Sequence, residues 1–470
     1  MRLLEKKKGF GMKNDFEGIS FSIPYEIAVV RPLRQTTWGE REVALRKASY
    51  NTELIPQEMV YVDLKTDSGV SSFSTGQVAA VVGAESLETT PEMAPEGNRA
   101  FISLSKRFRE IFGFPFVVPC THGRAAERIW AKIHIRDGSV VAGNMLFPST
   151  RFHIESNGAK VIDVSSEEAH ALFSDHPFKG NVDTEKLATV LKECGREKVS
   201  CIYVELCVNS CGGHPVSLAN LKEVKSLSQE HKIPLFLDAC RILENSYFIK
   251  QRDPGYQGRS IQEIVRETCS LADGCAMSAL KDFLVPIGGF IGMRDEKSYQ
   301  KAYAQSFFDG AQPPSSAMDN INTALAEIFG SPLYVASRVE QVNYLWRRLK
   351  GGIPVLSPPA GHAVFIDAKS FLPRIPPEHH PAEALAAFIY SISGIRITKG
   401  PPLAQSQIAR GIELLRLAVP ARRYVQGHMD DVVEALLYAH SRRDEIQGLK
   451  RIEKSGRSKY DPPLFEPVEP

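Results

Sequence analysis

The chain reads as an α/β protein: a large domain on a mostly parallel sheet, and a smaller α+β domain beside it. Three observations carry this reading. Through the middle of the chain, short apolar runs rich in β-branched residues alternate with segments of helical periodicity, the rhythm of βαβ units with helices on both sheet faces. Several of those runs close on polar residues, as at Asn209 and Asp238, where ligands collect in such sheets. Beyond about residue 310 the alternation changes character, after a stretch Ala311-Gln312-Pro313-Pro314-Ser315-Ser316 that reads as a linker.

Composition sets the class. A chain of 470 residues has room for a large core and two domains. A net charge of +2 gives no general attraction for nucleic acid or an anionic membrane. No apolar run reaches the ~18 residues of a membrane span, and Met1 to Lys8 lacks the apolar centre of a secretory signal, so a cytoplasmic protein is expected. The eight cysteines include no CxxC pair; reduced thiols are expected, with neither disulfides nor a zinc site.

Residues 1–65 read as an N-terminal arm and part of the small domain, with a helix over 38–48 and a short strand over 60–64. Residues 66–310 read as the large domain. It opens on the turn Thr66-Asp67-Ser68-Gly69 and continues with helices near 77–82 and 101–112, a surface loop over 88–98 and a strand at 116–119. His122-Gly123-Arg124 follows at a strand-to-helix switch, where bare backbone and a helix dipole favour a phosphate. Strands ending near Phe147, over 159–164, 199–208, 234–238, 274–278 and 288–293 alternate with helices from 150, over 182–193, 218–229 and 261–271. Residues 311–470 complete the small domain. They comprise a long connecting helix over 333–349, strands at 362–367 and 414–419, helices at 382–392 and 429–443, and a polar, extended tail from 455.

Two stretches carry chemistry. Leu235-Phe236-Leu237 delivers Asp238 at a strand end, and Ser278-Ala279-Leu280 delivers Lys281 just ahead of Gly288-Gly289. A lysine able to form a Schiff base, and an acid able to keep a pyridine nitrogen protonated, suit pyridoxal phosphate (PLP). The ordered segments Leu64 to Gly69, Gly123-Arg124 with Glu127, Gly212 to Leu221, Asp238 to Arg241 with Glu244-Asn245, Tyr247 to Arg252, Ser278 to Asp282 with Val285-Pro286 and Gly288-Gly289, and Leu414 to Leu417 with Pro420 extend the case. With them, the chain resembles the β-eliminating lyases, the tryptophanase and tyrosine phenol-lyase group of PLP enzymes with the aspartate aminotransferase fold (fold type I). The likeness runs from about Tyr25 to about Gly448.

The resemblance implies roles. Lys281 carries the Schiff base, Asp238 faces the pyridine nitrogen, Arg241 lies by the phenolic oxygen, Phe147 stacks on the ring and Asn209 faces the cofactor. Gly123, Arg124 and Ser278 hold the phosphate, with His122 where the family usually has Gln. Arg416 clamps the α-carboxylate of an amino-acid substrate; Thr66, Ser68 and Glu53 line the substrate side. Gly69, Glu85 and Pro286 resemble the family's potassium site. A homo-oligomer, dimer or tetramer, is implied. The implied reaction is removal of the α-proton by the freed lysine and expulsion of a β-substituent, giving pyruvate and ammonia. Other PLP reactions on this frame (transamination, C–S elimination, retro-aldol cleavage, β-replacement) and a silent PLP-binding protein are the alternatives. Most of the departures lie on the leaving-group side: Leu87 at the family's tyrosine acid, Leu280 at a lysine, Glu53 at an aromatic, Pro148 at a polar residue, and a shortened linker from Phe307 to Ala317.

Overall fold

A computed structural model of the chain describes residues 23–27, 29–83, 98–331, 333–400, 405–453, 456 and 461–468. Seven strands form the main sheet: β1 (Phe116–Cys120), β2 (Val140–Gly143), β3 (Lys160–Asp163), β4 (Val199–Glu205), β5 (Leu235–Asp238), β6 (Gly274–Ser278) and β7 (Gly289–Met293). Their spatial order is β1-β7-β6-β5-β4-β2-β3. From β3 through β6 all neighbours are parallel, and β7 alone runs against both of its neighbours. That exception has a simple cause. The link from β6 to β7 is too short for a crossover, so the chain must turn back beside the strand it has just left.

Alternation along each strand sends side chains to two separate cores. Ile202, Val204, Leu235, Leu237 and Met277 meet helices Arg99–Phe112, Leu218–His231 and Ile261–Ser270 on one face. Cys201, Tyr203, Phe236 and Ala276 meet Ala126 and Trp130 of helix Gly123–His134 on the other. Both faces are covered, which is why these strands read as continuous apolar runs.

A second, antiparallel sheet has the order β8-β10-β9, from β8 (Ala363–Asp367), β9 (Thr398–Lys399) and β10 (Leu414–Ala418). Helices Leu333–Leu349, Pro381–Ser393 and Gln426–Ser441 enclose it. The first of these ties the two bodies together: Val335 and Val339 belong to the main core, Val342, Leu345 and Leu349 to the second.

Several expected elements differ. Residues 60–64 form no ladder. They join residues 394–396 by alternating backbone bonds around a bridge from Asp63 to Arg396, and Val62 and Leu64 are buried in the second core. β2 stops at Gly143, and Met145 then takes a left-handed φ of 50°, so Phe147 caps helix Pro148–Ser156 instead of ending a strand. β4 likewise ends at Glu205, and Asn209 opens a 3-10 turn. Of the expected linker only Ala311 to Pro314 is irregular. Pro314 caps helix Ser315–Gly330, because a proline pair preconditions a helix start as readily as a break. The tail contains a strand: β12 (Leu464–Pro467) pairs with β11 (Leu449–Ile452) and buries Leu464 and Phe465. The loop expected over 88–98 lies, save Asn98, outside the described residues.

Candidate active site

The site lies beyond the carboxyl ends of β4, β5 and β6. Asp238 closes β5, is buried, and accepts a hydrogen bond from the Cys240 amide at 3.0 Å. Ser278 closes β6, and the next four residues, Ala279–Asp282, make one helical turn that presents Lys281. Two backbone bonds fix this turn, Ala279 N–H to the Gly288 carbonyl at 3.1 Å and Gly69 N–H to the Leu280 carbonyl at 3.1 Å. Lys281 Nζ lies 5.2 Å from the centre of the Phe147 ring. Burial works against its charge, but Cys240 and the carboxylates of Asp238 and Glu127 outweigh that and raise its pKa.

Beside this turn, helix Gly123–His134 points its amino end at β6. The approach requires glycine: a Cβ on Gly123 would lie 2.6 Å from Ser278 Cβ. His122 and Arg124 are exposed on either side of it, and the His122 ring meets Thr121 Oγ1 at 2.9 Å. Bare amides, a helix dipole and a hydroxyl thus converge where an anion fits. Asn209 is buried with its side-chain oxygen unpartnered, while its amide donates to Glu205 at 2.9 Å.

Arg241 is held in a buried charge network. Its guanidinium donates two bonds to Asp67, at 2.8 and 3.0 Å. Arg338, from the connecting helix, reaches the same carboxylate at 2.5 Å and Asp282 at 3.2 Å. Glu244 lies 3.5 Å from Arg241 and 2.8 Å from His362 Nδ1. Burial opposes ionisation of Asp67, yet Arg241 and Arg338 hold it well below the usual carboxylate range. Glu244 is likewise brought down to about 2, chiefly by His362 and Arg241 against burial. His362 is pushed down to about 4 by burial and Arg241, so its imidazole is neutral. Asp282 goes the other way, to about 6, because burial outweighs Arg338.

The segment 65–69 ties these parts together. The Lys65 carbonyl accepts from Arg416 at 3.1 Å, Thr66 Oγ1 accepts from the Ser68 amide at 3.1 Å, Asp67 holds Arg241, and Gly69 holds the lysine turn. Arg416, on β10, has its Nε buried and unpartnered, and among the described residues it forms no ion pair. Burial lowers its pKa, a lone guanidinium prepared for a carboxylate. Glu53 is exposed on the neighbouring turn Thr52–Leu54 and contributes to the field at Arg416. Leu280 packs on Gly69: a Cβ there would lie 3.1 Å from Leu280 Cδ2 and 3.9 Å from the Pro286 carbonyl oxygen. Glu85 and Leu87 lie outside the described residues.

Sequence reasoning assigned no role to Asp67, Glu127, Glu205, Glu244, Arg338 or His362. Asp67, Glu127 and Glu244 stand inside the family-like segments, so a signal existed. Arg338 is one arginine of a long amphipathic helix, and nothing in its neighbours distinguishes it.

The donor set fits PLP: a lysine beside a stacking ring, a buried carboxylate, an anion cradle that a single Cβ would fill, and an orphaned amide oxygen. Fold and site together define a PLP-dependent enzyme of fold type I. Serine palmitoyltransferase from Sphingomonas wittichii shares the fold at a TM-score of 0.62 with 15% identity, over 87% of this chain and 97% of that one. Threonine aldolase from Leishmania major does so at 0.58 with 14% identity, over 81% and 99%. The family is narrower. The model of the beta-eliminating lyases matches residues 63–435. Tyrosine phenol-lyase from Symbiobacterium sp. (strain SC-1) is 40% identical over 459 residues, covering 95% of this chain and 98% of that protein. The tyrosine phenol-lyase of Pasteurella multocida (strain Pm70) is 40% identical over 457 residues, covering 94% and 98%. The chain belongs to the beta-eliminating lyase family, and is a PLP-dependent lyase acting on an amino acid by β-elimination.

Proposed function

We propose that this lyase eliminates the β-substituent of an L-amino acid whose leaving group departs without the phenol-directed proton donor. The observation that carries this is an asymmetry. The cofactor side and the carboxylate clamp keep the expected residue types apart from His122, while the leaving-group side has Leu280 packed against Gly69, and leucine at 87. Neither leucine can deliver a proton.

In this reading Lys281 anchors the cofactor and then moves the substrate α-proton. Bound PLP supplies an electron sink for the charge left at the α-carbon. Asp238 would keep the ring nitrogen protonated, and Arg241, oriented by Asp67, would meet the phenolic oxygen. Phe147 would cover the ring and Asn209 would face it, while His122, Gly123, Arg124 and Ser278 would take the phosphate. Arg416 binds the α-carboxylate, with Thr66 and Ser68 beside it. The protein's own carboxylates hold the Lys281 pKa up, so a cationic ring is what would bring it down to a working base. Glu53, which acts on Arg416 after Asp67, and His122 are the candidate substitute acids.

The same reading takes residues 66–310 as the cofactor domain, with 1–65 and 311–470 making the small domain. It takes the protein as a cytoplasmic homo-oligomer, with potassium held near Gly69, Pro286 and Glu85. Among the described residues no helix is long and apolar enough to cross a membrane. The test is a comparison of pyruvate release from L-tyrosine and from S-substituted L-cysteines. Faster release from the cysteine derivatives is expected. Equal or faster release from tyrosine would overturn the altered leaving group and leave an ordinary phenol-lyase.

A further inference from the structure

The end of β4 carries a feature that the elimination chemistry does not use. Parallel register pairs Glu205 with Asp238 across β4 and β5. Two residues earlier, Tyr203 and Phe236 lie in one apolar layer with Trp130. Strand alternation therefore sends Glu205 and Asp238 to the same face. Both are buried, at 5% and 3% exposure. The backbone of Glu205 is clamped by the Asn144 side chain, which donates to its carbonyl at 3.1 Å and accepts from its amide at 2.8 Å. One carboxyl oxygen of Glu205 accepts from the Asn209 amide at 2.9 Å; the other is buried and unpartnered.

We propose that Glu205 is a positioning residue that keeps its carboxyl protonated beside Asp238, and so sets how firmly Asp238 holds the cofactor nitrogen protonated. The inference rests on the reading that Asp238 faces that nitrogen. Two buried carboxylates on adjacent strand ends cannot both ionise without a cation between them, and a proton kept on one relieves the repulsion. The charged and titratable groups around Glu205 are Asp238 on β5, Lys281 on the turn after β6, and Cys211 on its own loop; Glu127, on helix Gly123–His134, Tyr203 on β4, Cys240 after β5 and Cys275 on β6 act on Asp238. Lys281 is the lone cation of this set, and it is committed to the cofactor. Burial and Asp238 push the Glu205 carboxyl up to about 8, so Glu205 itself adds no charge there at neutral pH. Above about 8 the Glu205 proton leaves to solvent and a further negative charge appears at the end of β4, next to Asp238.

The experiment is a pH titration of the visible absorbance of the PLP-loaded protein without substrate, for the wild type and Glu205→Gln. Glutamine keeps the acceptor for Asn209 and mimics the protonated carboxyl. The wild type is expected to show a reversible transition centred at about 8, which the variant loses. Identical titrations would overturn the inference while leaving the lyase reading intact. A wild-type protein that takes up no PLP would sink both. Infrared difference spectra of Glu127→Gln across the same range give a readout that does not depend on the Glu205 variant folding and that removes the other raised carboxyl, Glu127 at about 7. A protonated carboxyl lost near pH 8 supports the inference, and its absence contradicts it.

Discussion

Each side chain of the site has a distinct task, and each task has its own failure. Lys281→Ala should abolish the covalent bond to PLP, read by mass spectrometry after reduction, and lower the elimination rate by at least about 10³-fold. Arg416→Lys keeps the charge but loses the planar fork. Loss of one charge-assisted bond is worth about 1.5–3 kcal/mol, so kcat/KM should fall roughly 10- to 150-fold with PLP affinity unchanged. The sequence singles out Lys281 and Arg416, because each stands inside a local motif. It does not single out the partners that orient Arg241. Asp67 lies 174 residues from Arg241 and 271 from Arg338 in the chain, and no local pattern reports a pairing made by the fold. A pH prediction follows from Glu244. Its carboxyl is held at about 2 against an ordinary 4.5, so its stabilising contribution is complete above 4.5 and is lost as the pH falls toward 2. Acid unfolding should therefore be less steep over that window in Glu244→Gln, as followed by circular dichroism at stepped pH.

At the scale of elements, the tight return from β6 to β7 makes the site. A crossover there would carry the lysine away over a helix; the short turn keeps it next to the end of β5. The helix after β1 touches β6 closely, at Gly123 against Ser278, where the proposed site takes the phosphate. Gly123→Ala would place a methyl 2.6 Å from Ser278 Cβ and force the two apart. The expected result is a large loss of PLP affinity by equilibrium dialysis, with a smaller change in thermal stability. Periodicity and turn chemistry announced the strands of this layer and most of its helices. They misjudged the segment around Pro313-Pro314, where proline starts a helix, and the tail, where two buried apolar residues sit in a polar stretch. In both places tertiary contact decides between readings that local propensity leaves balanced.

For the whole molecule, the proposed site depends on two bodies holding their places. Asp238, Lys281 and the His122-Gly123-Arg124 turn stand at the main sheet, whereas Arg416 stands on β10 of the second. Helix Leu333–Leu349 spans both cores, and its Arg338 grips the Asp67 that orients Arg241. Mechanical coupling and site electrostatics thus run through one element. Leu345→Ala, in the second core, should cost about 2–5 kcal/mol in denaturant unfolding and leave PLP absorbance unchanged in the folded fraction. The central claim is that this frame removes an α-proton and expels a β-substituent. The most direct measurement incubates the PLP-loaded protein with S-substituted L-cysteine in deuterated water and follows both pyruvate and the α-hydrogen of remaining substrate by NMR. The account predicts α-deuteration together with catalytic release of pyruvate and ammonia. Conversion to the corresponding keto acid with the β-substituent still attached, or no exchange at the α-carbon of any L-amino acid, would contradict it.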